Sequence, residues 1–241
     1  MRRMENERFV RSRSLLGDAA FERLASVHVA VFGVGGVGGW CAEALLRTGV
    51  RRLTLIDDDT VAESNVNRQR QAMPSTVGMA KADVLRDLLL ETVADAEITA
   101  ISERYTPDAP ERFDSLIGDC DFVIDAIDSV DCKAHLIRRC TSEPDVRRTV
   151  IFSSMGAALR TDPSKMRIAP FNKVCGDGLA KALRNRYRKA GCSLPRHLCV
   201  YSEEPPHAGT GTAKGSIMPV TCSFGMALAS LVIRTVSEQT S

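Results

Sequence analysis

Between residues 27 and about 153, short β-branched apolar runs alternate with longer stretches of helical period. The apolar runs are 27–32, 52–56, 97–102, 122–124 and 149–153, and between them 40–48, 77–91 and 130–141 have helix spacing and composition. Runs that are apolar at every position predict strands covered on both faces, and strand–helix–strand alternation predicts a parallel sheet. The expected fold is α/β, a doubly wound, mostly parallel sheet with helices on both faces. Ahead of it, residues 18–24 read as a short capped helix, which leaves the arginine-rich stretch 8–13 as an arm outside the sheet, able to reach a neighbouring molecule.

Beyond residue 153 the periodicity weakens and glycine and proline punctuate a loop-rich half. Two helices at most are expected there: 179–189, with Asp177 as N-cap, and an apolar one at 223–236 that packs on the sheet. The chain is read as a single domain. Residues 1–26 form an arm and helix, 27–153 a nucleotide-binding core, and 154–241 an elaboration for substrate contacts and dimerisation.

Composition narrows the class. The 241 residues are 44% hydrophobic and 26% charged, an ordinary soluble globular balance that excludes disordered and fibrous chains. No run approaches the roughly 18 consecutive apolar residues of a membrane span, and the charged start has no apolar segment behind it, so a cytoplasmic address is expected. Eight cysteines without any C-x-x-C pair read as reduced thiols. The net charge of +2 hides an asymmetry: residues 165–214 hold ten basic against three acidic groups, a net +7, leaving −5 for the rest. A polyanion would be drawn to that segment, although a solvated helix face gives the same count.

The chemistry starts at Gly33-Val34-Gly35-Gly36-Val37-Gly38, which follows one predicted strand and opens a helix. Without side chains at Gly33, Gly35, Gly36 and Gly38 the backbone can turn tightly and present free N–H groups and the helix dipole to phosphate; tight packing alone is the competing explanation. Asp57, 24 residues after Gly33 and at the end of the next strand, is placed to accept hydrogen bonds from a ribose. These features also suit an NAD-dependent dehydrogenase. Against that stand Asn65, Arg68 and, 13 residues further, Lys81: two cations converging on phosphate serve displacement at phosphorus, which builds charge on oxygen, better than hydride transfer. At the end of a later strand, Asp128 can hold Mg²⁺ against a polyphosphate or cap the next helix, or do both. Asp58 and Asp59 are expected to face elsewhere, since three carboxylates beside a triphosphate would repel it.

These motifs together resemble the ubiquitin-activating-like adenylating enzymes, the family of ThiF, MoeB and HesA, over about residues 8–155. The resemblance runs through Arg8-Phe9-Val10-Arg11, the glycine turn, residues 55–61 and 64–69, Gly78-Met79-Ala80-Lys81 and Asp125-Ala126-Ile127-Asp128-Ser129. It implies a homodimer that uses ATP and Mg²⁺ to turn a carboxylate into an acyl-adenylate. Asp57 would then hold ribose, Arg68 and Lys81 the phosphates, Asp128 the metal, and Arg11 would reach the partner subunit's ATP. The absent C-x-x-C pairs separate the chain from the zinc-binding sulfur-carrier activators, which stay as the alternative reading. Residues 173–184 and 200–204 are similar instead to the branch that dehydrates threonylcarbamoyladenosine in tRNA. That branch activates the threonyl carboxylate and closes a ring, and some of its members work beside a sulfur-donating (cysteine desulfurase) system. Gly178 departs from it, standing where proline is common. A tRNA partner would use Lys181, Arg184 and Arg188, one face of a helix by spacing, with Tyr187 stacking on a base or simply packing. The cysteines are expected to be inert, His135 and Cys132 to pack rather than bind metal, and His28 to be a core histidine.

Overall fold

The computed structural model describes residues 7–109, 111–142, 149–208 and 214–238. Seven strands form one sheet in the order β3-β2-β1-β4-β5-β7-β6. The five expected strands are present as β1 (His28–Phe32), β2 (Arg52–Ile56), β3 (Glu97–Ile101), β4 (Phe122–Asp125) and β5 (Val150–Ser154), all parallel to their neighbours. Every residue of β1 and β4 is buried, the polar His28 and Asp125 included, as their mainly apolar character requires. Strand order reverses between β1 and β4, and in open sheets of this kind the crevice at such a reversal, beyond the carboxyl ends of the strands, is the ligand site.

Two strands escape the periodicity. β7 (Leu198–Ser202) lies parallel beside β5, and β6 (Met166–Pro170) pairs antiparallel with β7 at the sheet edge. Edge position explains how a strand ending in proline is tolerated. Residues 154–241, expected to hold loops and two helices at most, thus also extend the sheet by two strands.

The helices are α1 (Val10–Leu16), α2 (Asp18–Ser26), α3 (Gly38–Thr48), α4 (Lys81–Thr92), α5 (Glu111–Asp119), α6 (Val130–Ser142), α7 (Gly178–Lys189) and α8 (Met218–Ser237). The expected helix at 77–91 begins only at Lys81. Gly78 takes φ +88°, and the backbone before Lys81 pairs instead with the end of the β2 turn, Val61 N–H on Met79 O at 2.8 Å. The basic arm is likewise folded onto its own chain. Phe9 is buried against Phe21, Arg51 lies 4.8 Å over the Phe9 ring, and Arg13 pairs with Asp18 and Glu22.

α8 starts earlier than expected and is, by length and composition alone, apolar enough to cross a membrane; 56% of its most apolar window is buried. It packs on α2, α3 and the sheet as a core helix. Gly225 makes the α3 contact possible, since a Cβ there would lie 2.5 Å from the Val37 carbonyl oxygen. One apolar cluster fills this side of the sheet around Phe224, Leu228 and Leu45, and a second, around Phe32, Phe113 and Phe171, fills the other.

Candidate active site

The crevice at the β1/β4 reversal encloses about 860 Å³ and is lined by Gly33, Gly35 and Gly36 of the glycine turn, Asp57, Asn65, Arg68, Lys81 and Asp128, but not by Gly38. Gly38 acts from below. A Cβ on it would fall 1.9 Å from the Gly33 carbonyl oxygen, and one on Gly33, at φ +84°, would fall 2.8 Å from the Ala126 carbonyl. Gly35 and Gly36 have room, with nearest neighbours at 3.7 and 3.4 Å. Two glycines thus close the turn, and the other two leave the crevice wall bare.

Asp57 is tied into the scaffold. Its two oxygens accept from Val34 N–H at 2.8 Å and Asp59 N–H at 2.9 Å, so it joins the glycine turn to the loop after β2. Burial pushes its carboxyl up, against the pull of the Asp59 N–H, the Lys81 charge and the Val34 N–H. The oxygens keep lone pairs for a ribose hydroxyl. Asn65 is buried and accepts from Ala62 N–H at 3.1 Å. Arg68 is held in its loop by bonds to Ser64 O and Asn67 Oδ1 at 2.8 and 2.9 Å. Lys81, at the start of α4, is 5% exposed and donates to Asp59 Oδ2 at 2.7 Å.

That last contact corrects an expectation. Asp58 and Asp59 do not face elsewhere: both line the crevice, and one oxygen of each of Asp57, Asp58 and Asp59 lies within 4.8 Å of the others. Lys81 and the backbone N–H groups offset the charge that argued against this arrangement.

Across the crevice, Asp128 is exposed after β4. The first turn of α6 is closed by Lys133 N–H on Ser129 O, which puts Ser129 rather than Asp128 at the helix cap. Beneath this turn sits a group that sequence reasoning missed. Asp125 and Lys133 are both fully buried and paired at 2.8 Å, and Lys133 also donates to the Ile127 carbonyl at 3.1 Å. Burial pushes the Asp125 carboxyl up and the adjacent ammonium opposes it. Ser153 spends its proton on Asp125 at 2.7 Å, so its oxygen accepts from His197 Nε2–H at 3.0 Å, which sets the histidine tautomer. The readable signal was a lysine among the inward positions of an amphipathic helix.

Other expected residues lie elsewhere. Arg11 is exposed on α1 and does not line the crevice of its own chain. Asp177 caps α7 as expected, accepting from Ala180 N–H at 2.8 Å. Lys181 and Arg188 are exposed on that helix, but Arg184 is not on an open face with them. Its guanidinium turns inward to the Phe171 and Val174 carbonyls and over the Phe171 ring, closing the turn before the helix. Tyr187 packs rather than stacks on a base: it is 5% exposed and donates to the Ala134 carbonyl at 3.0 Å. His28 is a core histidine bonded to Thr54 Oγ1, and His135 meets the Tyr105 hydroxyl. Among the described residues, the three successive aspartates are the only grouping of three or more metal-ligating side chains. All eight cysteines are free, and burial pushes the Cys120 and Cys140 thiols up to about 12.

Comparison with known proteins places the chain among relatives that share its fold. The chain is 39% identical over 198 residues to the tRNA threonylcarbamoyladenosine dehydratase of Bacillus subtilis (strain 168), covering 82% of this chain and 75% of that one. It is 34% identical to the protein of the same name from Escherichia coli (strain K12), with coverage of 95% and 88%. The crystal structure of E. coli TcdA in complex with ATP superposes with a TM-score of 0.87 at 33% identity, covering 96% of this chain and 94% of that one. E. coli MccB, at 14% identity, shares the fold. The ThiF family model matches residues 9–241, and the chain belongs to the ThiF family.

Proposed function

We propose that this protein is an ATP-dependent enzyme that adenylates the carboxylate of N6-threonylcarbamoyladenosine in tRNA and promotes its cyclisation. The observation that carries the reading is the convergence in one crevice of the glycine turn, Asp57, Arg68 and Lys81 on one side and Asp128 on the other. The relatives named for this activity support the substrate.

In this reading Asp57 holds the ribose, and the bare wall at Gly35 and Gly36 lets the polyphosphate meet backbone N–H groups. Arg68 and Lys81 lie against its oxygens, Lys81 exchanging Asp59 for phosphate. A carboxylate oxygen of the substrate forms a bond to the α-phosphorus as the bond from that phosphorus to the bridging oxygen breaks, and pyrophosphate leaves with the electron pair. The two cations stabilise the charge that gathers on the leaving oxygens. An internal nitrogen of the same side chain then attacks the activated carbonyl, loses its proton and expels AMP. Asp128 fits Mg²⁺ as an exposed hard-oxygen donor facing the cationic side, and the ion supplies counter-charge to phosphate oxygens when bound. Arg11, free of its own crevice, is assigned to the partner subunit's nucleotide in a homodimer. The reaction belongs in the cytoplasm, where the free thiols of this chain stay reduced.

Incubation with ATP, Mg²⁺ and tRNA bearing the modified nucleoside should release AMP and lower the nucleoside mass by one water. Asp128→Ala should abolish AMP release with an unchanged circular dichroism spectrum, and full activity in that variant would remove its metal role. A sulfur-carrier activator would instead exchange pyrophosphate only with a small protein ending in Gly-Gly, and a dehydrogenase would bind NAD in competition with ATP.

A further inference from the structure

The crevice continues past β4, away from Asp57 and Lys81, along the segment that follows β5. There Arg160 lines it, 5% exposed. One of its nitrogens, Nη1, donates to the Ala158 carbonyl at 3.0 Å, while Nε and Nη2 have no hydrogen-bond acceptor although both are buried. The adjacent carboxylate does not satisfy them. Asp177 Oδ2 stands 3.5 Å from Nη2, and its two oxygens are engaged by the Ala180 and Gly156 N–H groups. A buried guanidinium edge without acceptors demands an explanation, because such groups are nearly always paired.

The backbone holds this edge in place. Leu159, immediately before, sits at φ +61°, a conformation side-chain-bearing residues rarely adopt. It is pinned on both sides, donating to Gly215 O and accepting from His207 N–H, each at 2.8 Å. Immediately after, Glu204 clamps the Thr161 and Asp162 N–H groups at 3.0 and 2.9 Å. An arginine held on both flanks, with its Nε–Nη2 edge unused, is shaped for a planar anion with two oxygens.

We infer that Arg160 is the carboxylate-binding residue of the crevice, receiving the substrate's acid group on its Nε–Nη2 edge and presenting it to the nucleotide held across β4. The inference rests on the adenylation reading and adds to it the residue that recognises the acid. Asp177 lowers the local positive charge, so that the acid group is oriented without being held as tightly as by an unpaired cation. The fork also explains selection: an unmodified adenosine offers it nothing.

Fluorescence anisotropy, with a non-hydrolysable ATP analogue present, can compare tRNA carrying threonylcarbamoyladenosine with the same tRNA carrying adenosine. The wild type should prefer the modified tRNA by on the order of 10–100-fold, the range for a charge-assisted pair. Arg160→Met should erase that preference and leave the affinities for unmodified tRNA and for the ATP analogue within about twofold, and Arg160→Lys, with charge but no fork, should keep only part of it. Because methionine leaves Asp177 buried without its cation, Arg160→Met/Asp177→Asn removes the stranded charge; the asparagine oxygen still caps α7 while the Gly156 N–H loses its acceptor, and circular dichroism confirms the fold before binding is read. Preference surviving in the folded double variant overturns the assignment. So does an equal loss for both tRNAs, which would place a backbone phosphate there, or a selective loss of nucleotide affinity. A wild type that shows no preference and releases no AMP overturns the adenylation reading itself, and this ligand with it.

Discussion

One methyl group on Gly38 would collide with a backbone oxygen at 1.9 Å, whereas the same group on Gly35 finds its nearest neighbour at 3.7 Å. Gly38→Ala should therefore cost folding stability, on the order of 3 kcal/mol or more since backbone must shift, and Gly35→Ala should fold normally while weakening ATP binding. Thermal melts and nucleotide titration on the pair separate closing the turn from lining it; equal melting temperatures would contradict the assignment. His197 provides a second test. Burial, aided by the Lys133 charge, holds its pKa down to about 3, far below the 6.5 of a free imidazole. Between those values the unfolded chain binds a proton that the folded chain refuses. The contribution is therefore intact above about pH 6.5 and is lost as pH falls toward 3, at up to about 1.4 kcal/mol per pH unit. Denaturation of His197→Asn across that window should show a shallower fall than the wild type. At this scale the sequence was informative where a residue type has few uses. Gly33, Asp57, Lys81 and Asp128 sit where spacing suggested, but spacing could not show that Asp57 also braces the glycine turn or that Arg184 points inward.

The strands that periodicity revealed are those of the parallel core, most of them buried on both faces, with β3 half-exposed at the edge. β1, β2 and β4 read as mainly apolar runs, interrupted only at His28, Arg52, Thr54 and Asp125, and β2 emerged with its observed bounds. β6 and β7 were hidden because proline-rich and glycine-rich connections bound them and break up the strand–helix alternation. α1 was hidden because its arginines resemble a solvated tail, while its anchor, Phe9, is a single residue. The pairing of β4 with α6 through Asp125 and Lys133 depends on three-dimensional closure and has no local signature beyond the inward lysine. Removing one partner strands the other: Lys133→Met should destabilise the protein by about 3–5 kcal/mol, and Asp125→Asn/Lys133→Met by much less. Chemical denaturation of the wild type, the single and the double variant gives the coupling; equal losses in the two variants would show that the pair is not the strut under the Asp128 turn.

For the molecule as a whole, the +7 segment was legible from counting, but the surface it makes was not. Arg184, Arg186 and Arg167 are committed to the Phe171–Val174 turn, Asp131 and Glu203, which leaves Lys181, Arg188 and Lys189 as exposed cations of α7, the first two at the spacing of one helical face suited to a phosphate backbone. Reversing Lys181 and Arg188 to glutamate should weaken tRNA binding and flatten its dependence on salt by roughly 0.7–0.9 logarithmic units of slope for each phosphate left without its cation. Filter binding over a salt series measures this, and an unchanged slope would move the RNA to another face.

The position of β7 between β5 and β6 has a practical corollary for dissection. A fragment ending near Met155 would carry every nucleotide-facing motif and still be a poor miniature of the enzyme. Its β5 backbone would become a raw border of unsatisfied amides, and the greasy surface beneath α8 would lie open to water. Such a piece should clump with its own copies, because the last third of the polypeptide seals the flank of the sheet that the first two thirds leave unfinished.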